Sequence, residues 1–170
     1  MVELLDFLGE RHPECVLERR RDLGEATVVI RRQGMVGFFQ ALKETEWLDF
    51  NFLMDITALD FPMRPERFEV VYHLYSLSKN HRLRVKIRVH ESNPEVDSLT
   101  HLWKSANWLE REVWDMYGIR FKEHPDLRRI LLYEEFEGHP LRKDYPANRR
   151  QPLVEHREVD GTFCDETYRK

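Results

Sequence analysis

Two groups of side chains in this sequence are of types that carry out proton or metal chemistry. The first is Glu110, Arg111, Glu112 and Asp115. Two nearby carboxylates serve acid–base catalysis when their surroundings split their pKa values. On a helix, however, Glu110 and Glu112 project about 200 degrees apart, so they do not share a substrate. Arg111 and Asp115 stand at i, i+4, a spacing that predicts a surface ion pair worth ~0.3–0.5 kcal/mol. The second group is His124 and His139, each followed by a proline, with Asp126 and Asp144 as further ligand types. Their spacing is unlike zinc signatures, and no thiol lies nearby. Because proline restrains the backbone after each histidine, the favoured reading is a rigid turn whose imidazole bonds a backbone group. Neither group is expected to be catalytic or to hold a metal.

A third candidate is the row Arg82, Arg84, Lys86 and Arg88, which occupies one face of a strand. Such a row can bind phosphate or an acidic surface. A formal net charge of −4 over 170 residues argues against a nucleic-acid binder. Glu69 is the expected partial counter-charge, and a solvated or partner-covered face is the favoured reading. Arg19-Arg20-Arg21, flanked by Glu18 and Asp22, is expected on a solvated turn. Cys15 and Cys164 form no CxxC pair. An iron–sulfur cluster normally needs about four thiolates, so both cysteines are expected to be free thiols. There is no GxGxxG, P-loop or GxSxG motif, hence no nucleotide fingerprint and no nucleophile elbow. Met1 to Gly9 is acidic and amphipathic, unlike a signal peptide. No run approaches the ~20 apolar residues of a membrane span, which predicts a soluble chain that reaches a membrane through partners.

The elements that must position these residues are legible in outline. Residues 3–11 read as a helix burying Leu4, Leu5 and Leu8, and Thr27 to Ile30 as a buried strand. A helix over 34–45 carries Phe38, Phe39 and Leu42 on one side. Asn51 to Leu59 has a mixed pattern that favours a helix turn feeding a strand. From Phe68 to Tyr75 and from Arg82 to Val89 the residues alternate with period 2, which predicts an antiparallel hairpin. A loop at 78–81 pairs Leu74 with Val85, Tyr72 with Ile87 and Val70 with Val89. Asn93-Pro94 ends the sheet region. Asp97 or Ser98 is placed to cap a short helix through Trp103, and Ser105 to cap the next. That helix spans 106–117, with Leu109, Val113, Met116 and Tyr117 as its buried stripe and Gly118 as its left-handed C-terminal residue. The expected fold is α/β (α+β): an antiparallel or mixed sheet with packed helices and a long irregular C-terminal arm.

The chain divides into 1–119, an α/β domain with the central hairpin, and 120–170, an extended partner-binding arm and tail. An irregular segment as long as 120–146 is unusual inside a compact domain and is often functional. Pro125, Pro140 and Pro146 lower the entropy cost of ordering it. Apolar Leu127, Ile130, Leu131 and Leu141 alternate with Arg128, Arg129, Arg142 and Lys143. That mixture suits an arm laid over another protein, where apolar groups anchor and arginines bond at the boundary. The last twenty residues lack periodicity and are expected to be disordered or partner-bound.

The run Glu110-Arg111-Glu112-Val113-Trp114-Asp115-Met116-Tyr117-Gly118-Ile119-Arg120-Phe121 resembles the signature of the 30-kDa-type subunits of respiratory complex I. This is the C-type subunit family of bacterial proton-translocating NADH:quinone oxidoreductase. The resemblance continues through His124-Pro125-Asp126-Leu127-Arg128-Arg129-Ile130-Leu131 and ends at Gly138-His139-Pro140-Leu141-Arg142-Lys143-Asp144-Tyr145-Pro146. It covers about residues 45–146. It implies a non-catalytic subunit of the peripheral arm that carries neither FMN nor an iron–sulfur cluster, those cofactors lying in partner subunits. The implied neighbours are the 49-kDa-type (D-type) subunit and the iron–sulfur subunits of the B and I types. The implied location is the cytoplasmic side of the bacterial inner membrane. The stretch Glu110 to Tyr145 would form the subunit interface, through Glu110, Arg111 and Asp115 on the helix and His124, Leu127, Arg128 and Arg129 beyond it. Gly138, His139, Pro140, Arg142, Lys143, Asp144 and Tyr145 would complete it. Some family members are fused to the 49-kDa-type neighbour, and a chain ending at Lys170 is expected to be a separate polypeptide. Rival readings are the equivalent subunit of plastoquinone-reducing complexes, F420H2 dehydrogenases or energy-converting hydrogenases. A stand-alone hydrolase using Asp115, His124 or His139, and a nucleic-acid module on the basic strand face, are further rivals.

Overall fold

The computed structural model describes residues 2–153. The expectations for Cys164 and for most of the tail therefore lie outside the described residues. The chain runs α1 (Val2–Arg11), β1 (Val16–Asp22), β2 (Glu25–Ile30), α2 (Met35–Glu44), β3 (Phe52–Asp60), β4 (Phe68–Ser76), β5 (His81–Val89), β6 (Glu95–Asp97), α3 (Ala106–Tyr117) and β7 (Arg120–Lys122). Five strands form one sheet in the order β1-β2-β5-β4-β3, and β6 pairs with β7. Only β2–β5 is parallel within the large sheet. The α/β reading with a mixed sheet therefore holds.

Period 2 explains how the sheet acquires a dry face. Val28 and Ile30, Val70, Tyr72 and Leu74, and Leu83, Val85 and Ile87 are all buried. Leu4, Leu5 and Leu8 of α1, Phe38, Phe39 and Leu42 of α2, and Val113 of α3 complete this core. Each buried side chain of this size contributes about 1.5–3 kcal/mol of apolar transfer.

The hairpin register differs from expectation by two residues. Leu74 pairs with Leu83, Tyr72 with Val85 and Val70 with Ile87. The four-residue loop sits at 77–80, one position earlier than the spacing suggests, and Asn80 takes a left-handed φ of 50° there. A two-residue shift preserves the face of every side chain, so hydrophobic parity cannot distinguish the two registers.

β1 is a strand, not a solvated turn. Arg19, Arg20 and Arg21 pair with Val28, Thr27 and Ala26, closing at a tight turn where Leu23 and Gly24 have φ of 50° and 86°. Positive φ at both central residues is the geometry of a two-residue hairpin turn. As an edge strand exposed along most of its length, β1 has no alternation for a periodicity reading to detect, and its charges protect the edge. β3 is a strand throughout, so the expected helix turn within 51–59 is absent. Its pairing with β4 slips between Leu53 and Asp55. That bulge changes parity, leaving Leu53, Ile56 and Ala58 buried, and this is why the pattern reads as mixed.

Two caps also differ. Residues 99–103 make a single turn, with the Leu102 and Trp103 backbone N–H groups donating to the Leu99 carbonyl, and not a helix. Ser105 does not cap α3: its backbone is already helical, with φ −61° and ψ −27°, and its hydroxyl donates to the Leu53 carbonyl at 3.4 Å. Gly118 is left-handed at φ 74°, as expected. Asn93-Pro94 ends the large sheet, but the chain immediately enters β6.

Candidate functional site

The helix α3 and the arm that follows β7 form one hydrogen-bonded unit. An α-helix leaves its last four carbonyls without intrahelical partners. In α3 these belong to Trp114, Asp115, Met116 and Tyr117, and each finds a donor from outside the helix. The Gly118 N–H donates to Trp114 at 2.8 Å and the Leu141 N–H to Met116 at 3.1 Å. His139 Nδ1 donates to the Asp115 carbonyl at 2.9 Å, and Arg142 Nε to the Tyr117 carbonyl at 2.8 Å. The segment His139-Pro140-Leu141-Arg142 is therefore a C-cap delivered from a distant part of the chain. The Arg142 cation also suits the negative end of the helix dipole. Gly118 serves here twice. A Cβ at this position would lie 2.6 Å from the His139 ring, so glycine supplies both the left-handed turn and the space for the imidazole.

Asp115 organises the start of the arm. Its side chain is fully buried, and Oδ1 accepts from Arg129 Nη1 at 2.6 Å. Oδ2 accepts from three successive backbone N–H groups, those of Ile130, Leu131 and Leu132, at 3.1, 2.9 and 3.0 Å. This is an anion in a backbone nest. Burial pushes the carboxyl pKa up, but the N–H groups of Leu132, Leu131 and Ile130 and the Arg129 guanidinium outweigh it and leave it below its ordinary value. Arg129 lies between the Trp114 and Phe136 rings, 5.8 and 5.7 Å from their centroids. It also donates to the carbonyls of Phe136 and Gly138.

The expected Arg111–Asp115 surface pair is not formed. Arg111 instead donates to the Arg128 and Arg129 carbonyls at 3.1 and 2.9 Å. Helical spacing makes the two side chains neighbours, but the returning arm offers each a more complete set of partners.

Glu110 lies on the other side of α3, five residues and so about 140 degrees from Asp115. It too is fully buried, and Oε1 accepts from the Leu99 N–H at 2.7 Å. Burial pushes its pKa up to about 7, partly offset by the Leu99 N–H and the Ser98 hydroxyl. The two signature carboxylates thus hold different segments against one helix: Glu110 the 98–103 turn, Asp115 the arm.

A second ionic knot ties the far end of the arm to the sheet. Arg67, at the start of β4, forks onto Asp60 with bonds of 2.7 and 2.8 Å. Its remaining nitrogen contacts Glu91 at 2.5 Å and Asp144 at 2.9 Å. The Lys143 N–H donates to Asp60 at 2.7 Å. Hydrogen bonding to Arg67 holds both Asp60 and Asp144 below the ordinary carboxylate range. Sequence reading misses Asp60 and Arg67, because nothing local links them to residues 143 and 144.

Both histidines act on backbone. The Asp126 N–H donates to His124 Nδ1 at 3.0 Å, so Nε2 carries the proton and donates to the Asn107 carbonyl at 3.0 Å. With both nitrogens engaged, His124 has no free lone pair for a metal or a substrate proton. His139 is held neutral, mainly by desolvation. Of the other expected interface residues, Leu127 packs against the chain's own core, Pro140 is half-buried, and Gly138 makes a left-handed turn at φ 93°. Tyr145 stacks on Phe136 with rings 6.1 Å apart. The groups left facing outward include Leu131, Tyr133 and Leu141, the Lys143 side chain, and Arg128, whose side chain bonds Asp126 alone among the described residues and is 69% exposed.

The basic row of β5 is neutralised within the molecule. Lys86 meets Glu69 at 2.7 Å, Arg88 meets Glu18 at 2.7 Å, and Arg84 pairs with Glu25. Arg82 lies over the Tyr75 ring. The adjoining cleft of about 440 Å³ is lined by Arg20, Arg64, Arg84, Lys86 and Arg88 together with Asp22, Glu66 and Glu69, and Arg20, Arg84, Lys86 and Arg88 are each already paired with a glutamate of the same chain. Among the described residues, no helix is long and apolar enough to cross a membrane.

Comparison with known proteins gives a consistent picture. The model of the family described as respiratory-chain NADH dehydrogenase, 30 Kd subunit, matches residues 28–151, which include most of the sheet, α3 and the arm. The chain is 48% identical to the C-type subunit of the NADH-quinone oxidoreductase of Hyphomonas neptunium, over 86% of this chain and 72% of that relative. It is 45% identical to the corresponding subunit from Geotalea uraniireducens, over 82% of this chain and 84% of the relative. Among solved structures, the trypsin-resistant fragment of Nqo5 superposes with a TM-score of 0.62 at 38% identity, covering 74% of this chain and 99% of that one. A chain of the membrane-bound sulfane sulfur reductase, an archaeal respiratory membrane complex, superposes with a TM-score of 0.71 over 86% of each chain. At 22% identity that likeness is one of fold.

Proposed function

Because this chain belongs to the family of the 30 Kd subunit of respiratory-chain NADH dehydrogenase, we propose that its work within that NADH:quinone oxidoreductase is assembly and not bond-making. The observation that carries this reading is the division of labour in the arm. Its charged and imidazole groups hold the arm to α3 and the sheet, while Leu131, Tyr133 and Leu141 remain outward. A pre-ordered arm with exposed apolar groups loses little entropy on docking, and exposed apolar groups in a contiguous segment suit a protein interface.

In this reading the arm docks on the 49-kDa-type (D-type) subunit and on the iron–sulfur subunits of the B and I types, at the cytoplasmic face of the membrane. Partner subunits, and not this one, carry FMN, the clusters and the quinone site, so that redox chemistry and proton translocation run outside this chain. The signature residues Glu110, Asp115, His124 and His139 then serve as scaffold, and no acid–base step is assigned to them. The rival hydrolase reading needs a free acid or base at Asp115, His124 or His139. Asp115 and His124 are saturated with internal hydrogen bonds, and His139 lies half-buried beside Trp114 with Nδ1 committed to the Asp115 carbonyl.

Co-purification tests the proposal. In a host whose own gene is deleted, the double substitution Leu131→Asp, Leu141→Asp should leave the isolated chain folded but sharply lower the amount of assembled complex recovered from membranes. Arg128→Ala should weaken recovery less, as a boundary contact does. Unchanged recovery of a fully assembled, active complex from the double variant would remove the arm from the interface.

A further inference from the structure

Three buried polar atoms under α3 have no partner among the described residues: Glu110 Oε2, the Tyr72 hydroxyl and the Trp103 indole N–H. Buried polar groups are almost always hydrogen-bonded, so each such group calls for an explanation. These three belong to one neighbourhood. The Leu99 N–H bonds the Glu110 carboxyl, and the Trp103 backbone N–H bonds the Leu99 carbonyl at 2.9 Å, so Trp103 and Glu110 grip the same turn. The Phe39 ring lies beside both aromatic members, 4.8 Å from Tyr72 and 6.2 Å from Trp103. The charge of Glu110 is felt at the Tyr72 hydroxyl, which its burial and then Glu110 and Asp97 all make harder to ionise.

We propose that Glu110, Tyr72 and Trp103 form a binding site for one internal water molecule between α3 and the sheet. The chemistry is complementary. The indole offers one donor, the phenol a donor and an acceptor, and the carboxylate an acceptor. One water can accept from the indole N–H and the phenol O–H while donating to Oε2. That gives the roughly three hydrogen bonds typical of buried water. The site explains why a carboxylate occupies the inner face of a helix in an otherwise apolar core. Glu110 reaches the Leu99 N–H with one oxygen and the water with the other, so that the helix, the 98–103 turn and strand β4 share one polar junction. This inference concerns the chain's interior and does not depend on the assembly reading.

A high-resolution crystal structure of the full chain is the direct test. It should show a water within ~3.2 Å of Glu110 Oε2 and of at least one of Tyr72 Oη and Trp103 Nε1. A direct Tyr72 hydroxyl to Glu110 bond with no water between them would overturn the proposal, as would dry density at the junction. In solution, the shift in urea midpoint caused by Tyr72→Phe should shrink about two-fold or more in a Glu110→Gln background, because groups that share one bridge are not additive. Equal shifts in both backgrounds would equally overturn it.

Discussion

Asp115 and Arg129 meet at 2.6 Å with the carboxylate fully buried and the guanidinium nearly so. The same carboxylate collects three consecutive backbone N–H groups from the arm. The pair therefore fixes both a side chain and the path of the main chain beyond it.

Asp115→Asn keeps the shape but removes the charge and gives the nest an amide nitrogen to oppose. Breaking a buried, hydrogen-bonded ion pair by changing one partner costs about 3–5 kcal/mol. Most of that loss should fall on the arm. Amide hydrogen exchange at residues 130–132 should accelerate far more than exchange in β4 and β5. Uniform acceleration would mean that the arm and the sheet open together.

Arg67→Ala leaves Asp60 buried against the Lys143 N–H without its cation. The expected cost is again about 3–5 kcal/mol, and the arm should be cleaved early near residues 143–150 in limited proteolysis. Asp144→Asn, at the half-exposed side of the same knot, should cost under about 1 kcal/mol, since solvent screens that contact. Similar cleavage rates for the two variants would contradict this ranking.

Stability should vary with pH in two opposed windows. Glu110 has a folded pKa near 7 against 4.5 as its ordinary value, so the folded state binds the extra proton between them. Its contribution is full below 4.5 and is lost as pH rises through about 7, a loss of up to roughly 3 kcal/mol. Asp115 and Asp60 are depressed below an ordinary 3.8. Their contribution is present above that value and lost as pH falls further. His12, His73 and His139, whose burial lowers their pKa below 6.5, contribute the opposite slope in this window. The Glu110 contribution is therefore read as a difference: in urea unfolding between about pH 5 and 8 the native chain should lose stability relative to Glu110→Gln as pH rises. A profile unaltered by Glu110→Gln would assign the slope to other groups.

Gly118→Ala should destabilise by roughly 1–2 kcal/mol through its left-handed φ alone, and more because the new methyl group displaces His139. If the ring moves into solvent, its pKa should rise toward the ordinary 6.5 from its lowered value. Nuclear magnetic resonance titration of His139 reads this directly, and an unmoved titration would show that the helix end yields instead.

Features governed by local periodicity and local backbone chemistry are legible in the chain before it folds. The alternation in Phe68 to Val89 fixes which side chains enter the core. Of the expected stripe of 106–117, Val113 and Met116 are buried while Leu109 and Tyr117 are only partly so. Gly118 ends the helix, and the proline after each histidine identifies a turn whose imidazole bonds backbone. The contiguous motifs from Glu110 to Pro146 are enough to indicate the family. Which partners these residues meet is a matter for the folded molecule. The hairpin register is invisible to parity, since a slip of two residues moves no side chain to the other face. The β3 bulge and the charged edge strand β1 carry no clean period. Asp115 joins Arg129 across 14 residues of chain, and not Arg111 one turn away. Arg67 reaches Asp144 across 77. Periodicity is a property of neighbours along the chain, whereas a buried charge is satisfied by whatever the fold brings to it. The stretch from Glu110 to Tyr145 is therefore readable as a unit, while its internal bonding becomes visible only once the arm is seen folded back on its own helix.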